Sequence, residues 1–173
     1  MELRQRAGAG AKASFTEAMA HLAAGVAVVS VRRADGRPAG LLVSSVSSYS
    51  VEPPSVLLAL ARSSRTRREL DRPGTPFGVH LLGAADAALA QVFAGRGEDK
   101  FADVLWEWDG PVPRLAGVPV YLTCRTAARF PHGDHVIVVG EVTGCALAGG
   151  EPLVYYRRRL DWRLRPGRGP AGE

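Results

Sequence analysis

The sequence predicts a mainly β protein, an antiparallel barrel decorated by a few short helices. Three observations predict it. Six or seven short runs alternate or are rich in β-branched residues, which suits strands. Most are joined through hairpin signals such as Asp35-Gly36 and Gly133-Asp134 rather than through helical crossovers. No GxGxxG or Walker-type lysine motif is present, so neither a doubly wound nucleotide fold nor a P-loop is expected.

The elements follow in order. Ser14-Phe15-Thr16-Glu17 reads as a capping box, and Phe15, Ala18, Met19 and Leu22 recur at helical spacing, so a helix is expected to run to about Ala24 and stop at Gly25. Residues 26–32 form a strand, Asp35-Gly36 turns it, and residues 39–45 return. Pro53-Pro54 breaks the chain before a buried strand over 56–60. A short helix over 65–71 ends at Pro73-Gly74. A strand over 77–82 and a helix over 85–93 follow. Residues 95–110 read as a polar loop anchored by Phe101, Trp106 and Trp108. Two long strands, 118–128 and 136–147, flank the turn at Gly133-Asp134, and runs at 153–156 and 162–164 finish the chain.

At 173 residues the chain suits one domain, with a core large enough to need no disulfide. Residues 1–13 read as a loose arm, 14–164 as the domain and 165–173 as a tail. No apolar run approaches the ~20 residues of a membrane span, and no secretory signal is visible, so a cytoplasmic protein without a membrane partner is expected. Cys124 and Cys145 lie in apolar strands and read as small core residues. No metal-ligand spacing joins them or the four histidines, so no metal is expected. The net charge of +5 invites a nucleic-acid reading, but the arginines are scattered and few aromatics cluster on the strands. A solvated basic face, or a field that steers anionic nucleotides, fits better.

The chemistry-bearing residues concentrate at positions 40–66. Ser44, Ser45, Ser47, Ser48 and Ser50 form one hydroxyl cluster, and Ser63, Ser64 and Thr66 form another beside Arg62 and Arg65. The first sits where a strand gives way to a loop. It reads either as a polar turn or as donors to a flat heteroaromatic ring. The second stands just before a helix. Ser64 reads as a helix cap, as part of an anion site, or as both. Hydroxyl donors at both ends of an apolar strand suit a ligand with a polar ring edge and a phosphate, which points to a flavin nucleotide. His132-Gly133-Asp134-His135 reads either as a fixed hairpin or as a turn that sets His135 at a pocket mouth; as strand neighbours Asp134 and His135 are expected on opposite faces. Asp99-Lys100-Phe101 carries a basic residue for either a surface or a phosphate. Tyr155-Tyr156 reads as core, interface or pocket wall.

In this order the pieces resemble the flavin reductase-like family, the FMN-binding split barrels that serve two-component monooxygenases. The pieces are Gly25 to Val29; Gly40 leading to Ser44-Ser45-Val46-Ser47-Ser48-Tyr49-Ser50; Glu52-Pro53-Pro54; Ser64 with Thr66; and Phe77-Gly78-Val79. Phe93-Ala94, Asp99-Lys100-Phe101, Gly133-Asp134-His135, Gly140-Glu141-Val142 and Pro152 to Tyr155 complete the set. Within the family the chain looks most like small actinomycete-type reductases that feed antibiotic-pathway oxygenases. The resemblance implies a six-stranded antiparallel split barrel of Greek-key type and a homodimer. It implies NADH or NADPH as hydride donor, FMN or FAD as acceptor, and a flavin-dependent monooxygenase as partner. It places Leu42, Val43, Ser44, Ser45 and Ser48 along the flavin ring and ribityl chain. Ala59, Leu60 and Ala61 offer backbone to the pyrimidine edge, Ser64, Thr66 and Lys100 meet the phosphate, and His135 and Tyr156 lie on the nicotinamide side. Two departures stand out: Leu42 occupies a position where the family carries threonine, and His80 one where asparagine is common. Hydride transfer is carried by the cofactors and needs no catalytic side chain. The alternatives are a split barrel that holds its flavin tightly without reducing free flavin and, more distantly, a basic nucleic-acid-binding barrel.

Overall fold

The computed structural model describes residues 9–165. Helix α1 (Ala9–Ala20) leads into β1 (Ala24–Gly25), β2 (Ala27–Arg32), β3 (Pro38–Val43), β4 (Val46–Val51) and β5 (Pro54–Ala61). After α2 (Arg65–Glu69) come β6 (Pro76–Leu81), α3 (Ala87–Ala94), β7 (Trp106–Asp109) and β8 (Val112–Leu115). The chain closes with β9 (Val120–His132), β10 (His135–Leu147), β11 (Val154–Tyr156) and β12 (Arg159–Trp162).

The main sheet is antiparallel, in the order β3-β2-β6-β9-β10-β5-β4. Its two edge strands, β3 and β4, are consecutive in sequence and joined only by Ser44-Ser45. The sheet therefore curls until its edges nearly meet, which is a split barrel. The mainly β, antiparallel barrel with short helices is as expected. β4 brings the sheet to seven strands because the serine-rich stretch after Ser45, expected to be a loop, pairs Val46 with Leu58 and Ser48 with Val56. Alternation fails as a signal there because β4 is an exposed edge with little to bury.

Residues that alternate inward fill the barrel. Val29, Val31, Leu58, Leu60, Phe77, Val79 and Val138 are fully buried, with Leu70 entering from the α2 end. Each such side chain contributes about 1.5–3 kcal/mol on burial. A second apolar cluster lies outside the barrel, where α3 and the β7–β8 hairpin pack through Phe93, Phe101, Val112 and Leu115. Phe93, Phe101, Trp106 and Trp108 form a chain of edge-to-face rings with centroids 5.1, 5.3 and 5.1 Å apart. Two buried hydrogen bonds tie this layer to the barrel. Ser30 Oγ donates to the Pro113 carbonyl at 2.6 Å, and His80 Nε2 accepts the Leu115 amide at 3.1 Å.

Three local expectations are corrected. The first helix is described over Ala9–Ala20, so Ser14 lies inside it and is not its cap, and it ends short of Ala24, which pairs in β1 with Tyr155 instead; the Ala and Lys residues ahead of Ser14 favour helix there. Residues 95–110 are not all loop, since Trp106 pairs with Leu115 and Asp109 with Val112 around Gly110. Cys124 is buried, its thiol pushed up to about 12 by burial, but Cys145 is exposed on the far half of β10. Of the expected arm, residues 9–13 are helical rather than loose, and residues 1–8, like the tail after 165, lie outside the described residues. None of the described helices is long and apolar enough to cross a membrane.

Candidate functional site

Ser63 and Ser64 follow β5 after Arg62, and Ser64 caps α2, its Oγ accepting the Arg67 amide at 3.3 Å. The α2 segment closes one end of the barrel, anchored by Leu70 in the core and by Asp71. Asp71 Oδ1 accepts from Arg67 at 2.8 Å and from Arg129 of β9 at 2.7 Å. This bridge ties the turn that carries Ser64 and Thr66 to the long hairpin.

A cavity of about 580 Å³ opens beside that turn. Ser63, Ser64, Arg65 and Thr66 form one wall, Gly40 and Leu41 of edge strand β3 a second, and the 95–101 segment with Lys100 a third. Lys100 is half-buried; desolvation, with Arg65 nearby, lowers its pKa, and its Nζ donates to the Phe93 carbonyl at 2.8 Å. Arg65 reaches across to Glu98 at 3.1 Å. Of the residues expected to meet a phosphate, Ser64, Thr66 and Lys100 thus converge on one cavity.

The residues expected along a ring lie past the other end of β3. Ser44 is an exposed bend residue and Ser48 is exposed on β4. Ser45 Oγ donates to the Ala59 carbonyl at 2.8 Å and accepts its amide at 3.2 Å. The hydroxyl takes the place of the next backbone pair after Val46 and Leu58. Ala59 therefore has its backbone groups occupied. Arg62 N–H donates to the Asp134 carbonyl at 2.8 Å, so alternation turns the Ala61 N–H away from β10, beyond the first residue of β4. Val43 and Leu60 send their side chains into the core. Leu42 packs against the outer apolar cluster, and none of residues 42–45, 48 and 59–61 lines the cavity that holds Ser64, Thr66 and Lys100.

Cross-strand register places Ala61, His135 and His132 in one row, and Ala59, Ile137 and Phe130 in the next. His135 Nδ1 donates to Asp134 Oδ1 at 2.8 Å, which leaves Nε2 outward. Asp134 lies in the turn, not in the strand, so the two side chains meet although opposite faces were expected. The carboxyl of Asp134 is lowered chiefly by that hydrogen bond. Tyr156 sits elsewhere, edge-on to Trp162 at 5.1 Å and to His21 at 6.3 Å. Neither His135 nor Tyr156 lines the cavity that holds Ser64, Thr66 and Lys100.

Sequence reasoning did not single out Arg33, Arg96 and Glu98, which also line the cavity. They come from two turns far apart in sequence, and no local spacing marks them. Among the described residues no group of three or more His, Cys, Asp or Glu is placed to hold a metal ion.

Known proteins agree with this architecture. The chain is similar to the 4-nitrophenol 4-monooxygenase/4-nitrocatechol 2-monooxygenase reductase component of Rhodococcus opacus, 40% identical over 149 residues that cover 86% of this chain and 80% of that protein. It is 38% identical over 154 residues to a flavin reductase (NADH) of Kitasatospora aureofaciens, covering 84% and 78%. In three dimensions it resembles the styrene monooxygenase flavin reductase of Pseudomonas putida S12, with a TM-score of 0.80 at 28% identity, covering 88% of this chain and 99% of that one. Residues 19–162 match the flavin reductase like domain, and the chain belongs to that family.

Proposed function

We propose that this protein is an NAD(P)H:flavin oxidoreductase that supplies reduced FMN or FAD to a flavin-dependent monooxygenase in secondary, antibiotic metabolism. One observation carries the reading: Ser64 and Thr66 from the start of α2, and Lys100 from the segment after α3, line one cavity beside the open edge of β3. Hydroxyls flanked by Arg65 and Lys100 fit a phosphate monoester, through charge-assisted and neutral hydrogen bonds. The sheet face beyond β3 fits a flat ring, with small Ala59 and Ala61 side chains and the Ala61 N–H turned away from β10. A flavin held there would supply the hydride acceptor for the nicotinamide.

The residues of the chain bind and orient. Ser64, Thr66 and Lys100 hold the phosphate end. Backbone of the 42–45 segment and of Ala61 borders the ring, and Ser48 lies farther along β4. Asp134 fixes the His135 ring so that Nε2 faces a nicotinamide carboxamide. No side chain is required to move a proton in the hydride step. The open cavity, in which Arg65 is already engaged by Glu98, suits a flavin that leaves after reduction. The names of the R. opacus and P. putida proteins support an oxygenase partner.

A homodimer completes the reading. It gives cover to Phe15 and Leu22 near the N-terminus, Tyr49 and Val51 on β4, and Phe130 on β9, all of them exposed. Several arginines are spent on ion pairs, including Arg37 with Asp35, Arg129 with Asp71 and Arg158 with Glu17, which disfavours a nucleic-acid role. A cytoplasmic location follows from the same reading, since NAD(P)H is an intracellular reductant.

The test is NADH or NADPH oxidation in the presence and absence of added FMN or FAD. Turnover that depends on added flavin is expected. No flavin-stimulated oxidation with either nicotinamide would overturn the proposal.

A further inference from the structure

We propose that the flavin of this protein is FAD rather than FMN, with its adenylate half lying at the Pro38 end of β3 against Arg33, Arg96 and Trp106. This rests on the flavin reading above and names the ligand within it.

The cavity is too large for a phosphate alone. Its volume is about 580 Å³. It lies within the range of pockets that enclose whole ligands. A second cavity of about 340 Å³ shares Arg33, Pro38, Glu98 and Phe101 with the first and continues to Trp106. The two form one trough along the free edge of β3.

That strand serves as a ruler. Five residue steps separate Val43 from Pro38, or about 17 Å at ~3.3 Å per step. The ring-binding residues 42–45 lie at the Val43 end. The phosphate-binding wall shares the cavity with Gly40 and Leu41 in mid-strand. The trough then runs on past Ala39 and Pro38. FMN ends at its one phosphate and leaves this last stretch unused. FAD continues there with a second phosphate, a ribose and an adenine.

The chemistry of the far end matches those groups. Arg33 comes from the end of β2 and Arg96 from the segment after α3, and guanidinium forks are suited to phosphate oxygens. Pro38, Phe101 and the half-buried Trp106 supply an apolar and aromatic wall for a base. Acids border the trough as well. Glu98 is engaged by Arg65 at 3.1 Å, and Asp35 binds Arg33 at 2.9 Å from outside the cavity lining. Glu69 and Asp99 are the remaining carboxylates on the walls.

The experiment is equilibrium binding of riboflavin, FMN and FAD to the full chain, followed by flavin fluorescence, for the wild type and for the Arg33→Ala and Arg96→Ala variants. FAD is expected to bind about tenfold more tightly than FMN, the effect of one or two charge-assisted hydrogen bonds. Each variant is expected to weaken FAD severalfold and to change FMN by less than about twofold. Arg96 is an exposed loop residue, so its variant keeps the test alive if Arg33→Ala fails to fold. FMN binding as tight as FAD, or equal losses for both flavins in the variants, would overturn the assignment and leave the reductase reading standing. Binding of no flavin at all would overturn both.

Discussion

His80 and Leu115 join the two layers of the molecule: the Leu115 amide donates to His80 Nε2 at 3.1 Å, inside the core. The Nδ1 atom of the same ring lies 3.2 Å from the Val28 carbonyl, to which it donates. Both nitrogens are satisfied only by the neutral ring with its proton on Nδ1. The ring also stacks on Tyr121, with centroids 4.8 Å apart. Burial pushes the His80 pKa down to about 4, the Val28 hydrogen bond opposing and the Arg114 charge adding.

This arrangement predicts acid sensitivity. The unfolded chain takes up a proton at this histidine near pH 6.5, whereas the folded chain resists until about pH 4. The unfolded state therefore binds more protons between those values. Stability is complete above about pH 6.5 and falls as pH drops towards 4, by about 3 kcal/mol in all. Thermal unfolding between pH 7.5 and 4 checks this; a flat profile contradicts it.

Removing the Ser45 hydroxyl leaves both backbone groups of Ala59 without their partner. Ser45→Ala is expected to cost about 1–3 kcal/mol, since the desolvated groups stay unpaired. Chemical denaturation measures it. A loss below about 0.3 kcal/mol would show that another group replaces the hydroxyl.

Gly40 has no room for a side chain: a Cβ there would stand 2.6 Å from Phe93 Cε1 and 3.2 Å from Phe101 Cε2. Gly40→Ala is expected to force the two rings apart at a cost of about 1–3 kcal/mol. Because these residues back the cavity, flavin affinity should fall with stability. Unchanged melting and affinity would count against the packing account.

Asp71 anchors α2, the segment that carries the proposed phosphate site, through Arg67 and Arg129. Asp71→Asn removes the charge between Arg67 and Arg129, and the expected result is a severalfold rise in KM for FMN with little change for riboflavin, which lacks the phosphate. Equal effects on the two flavins would reduce Asp71 to a general stabiliser. Asp71→Glu is expected to restore part of the difference.

His135→Ala is expected to raise KM for the nicotinamide severalfold and leave flavin affinity nearly unchanged. Steady-state kinetics together with flavin titration separate the two. Equal losses of both would contradict a role on the nicotinamide side.

The long strands were legible because their inner positions are apolar and β-branched. β2 and the first half of β10 bury alternate or successive residues, and their pattern survives in the sequence. β4 was not legible, because an edge strand of five polar or exposed positions resembles a loop. The β7–β8 hairpin carried a usable signal, Asp109-Gly110 between two alternating runs, but charged neighbours masked it. The start of α1 was misplaced because a capping-box pattern competed with a run of good helix formers, and the latter prevailed. Cys145 was expected in the core because its strand is apolar, yet the last residues of β10 extend beyond the barrel interior.

The same division holds for the site. Sequence by itself determined the strand content, the antiparallel class and the hydroxyl and basic character of Ser64, Thr66 and Lys100, because these depend on local periodicity and on residue type. Only the tertiary structure decided which residues share a cavity. Arg33 and Arg96 reach it from turns more than sixty positions apart, while His135 and Tyr156 stay outside it. It also decided that the Ser45 hydroxyl completes a β ladder and that His80 is a neutral joint between layers. The physical reason is that strand pairing and burial assign each polar group its partner, and those partners lie far away along the chain.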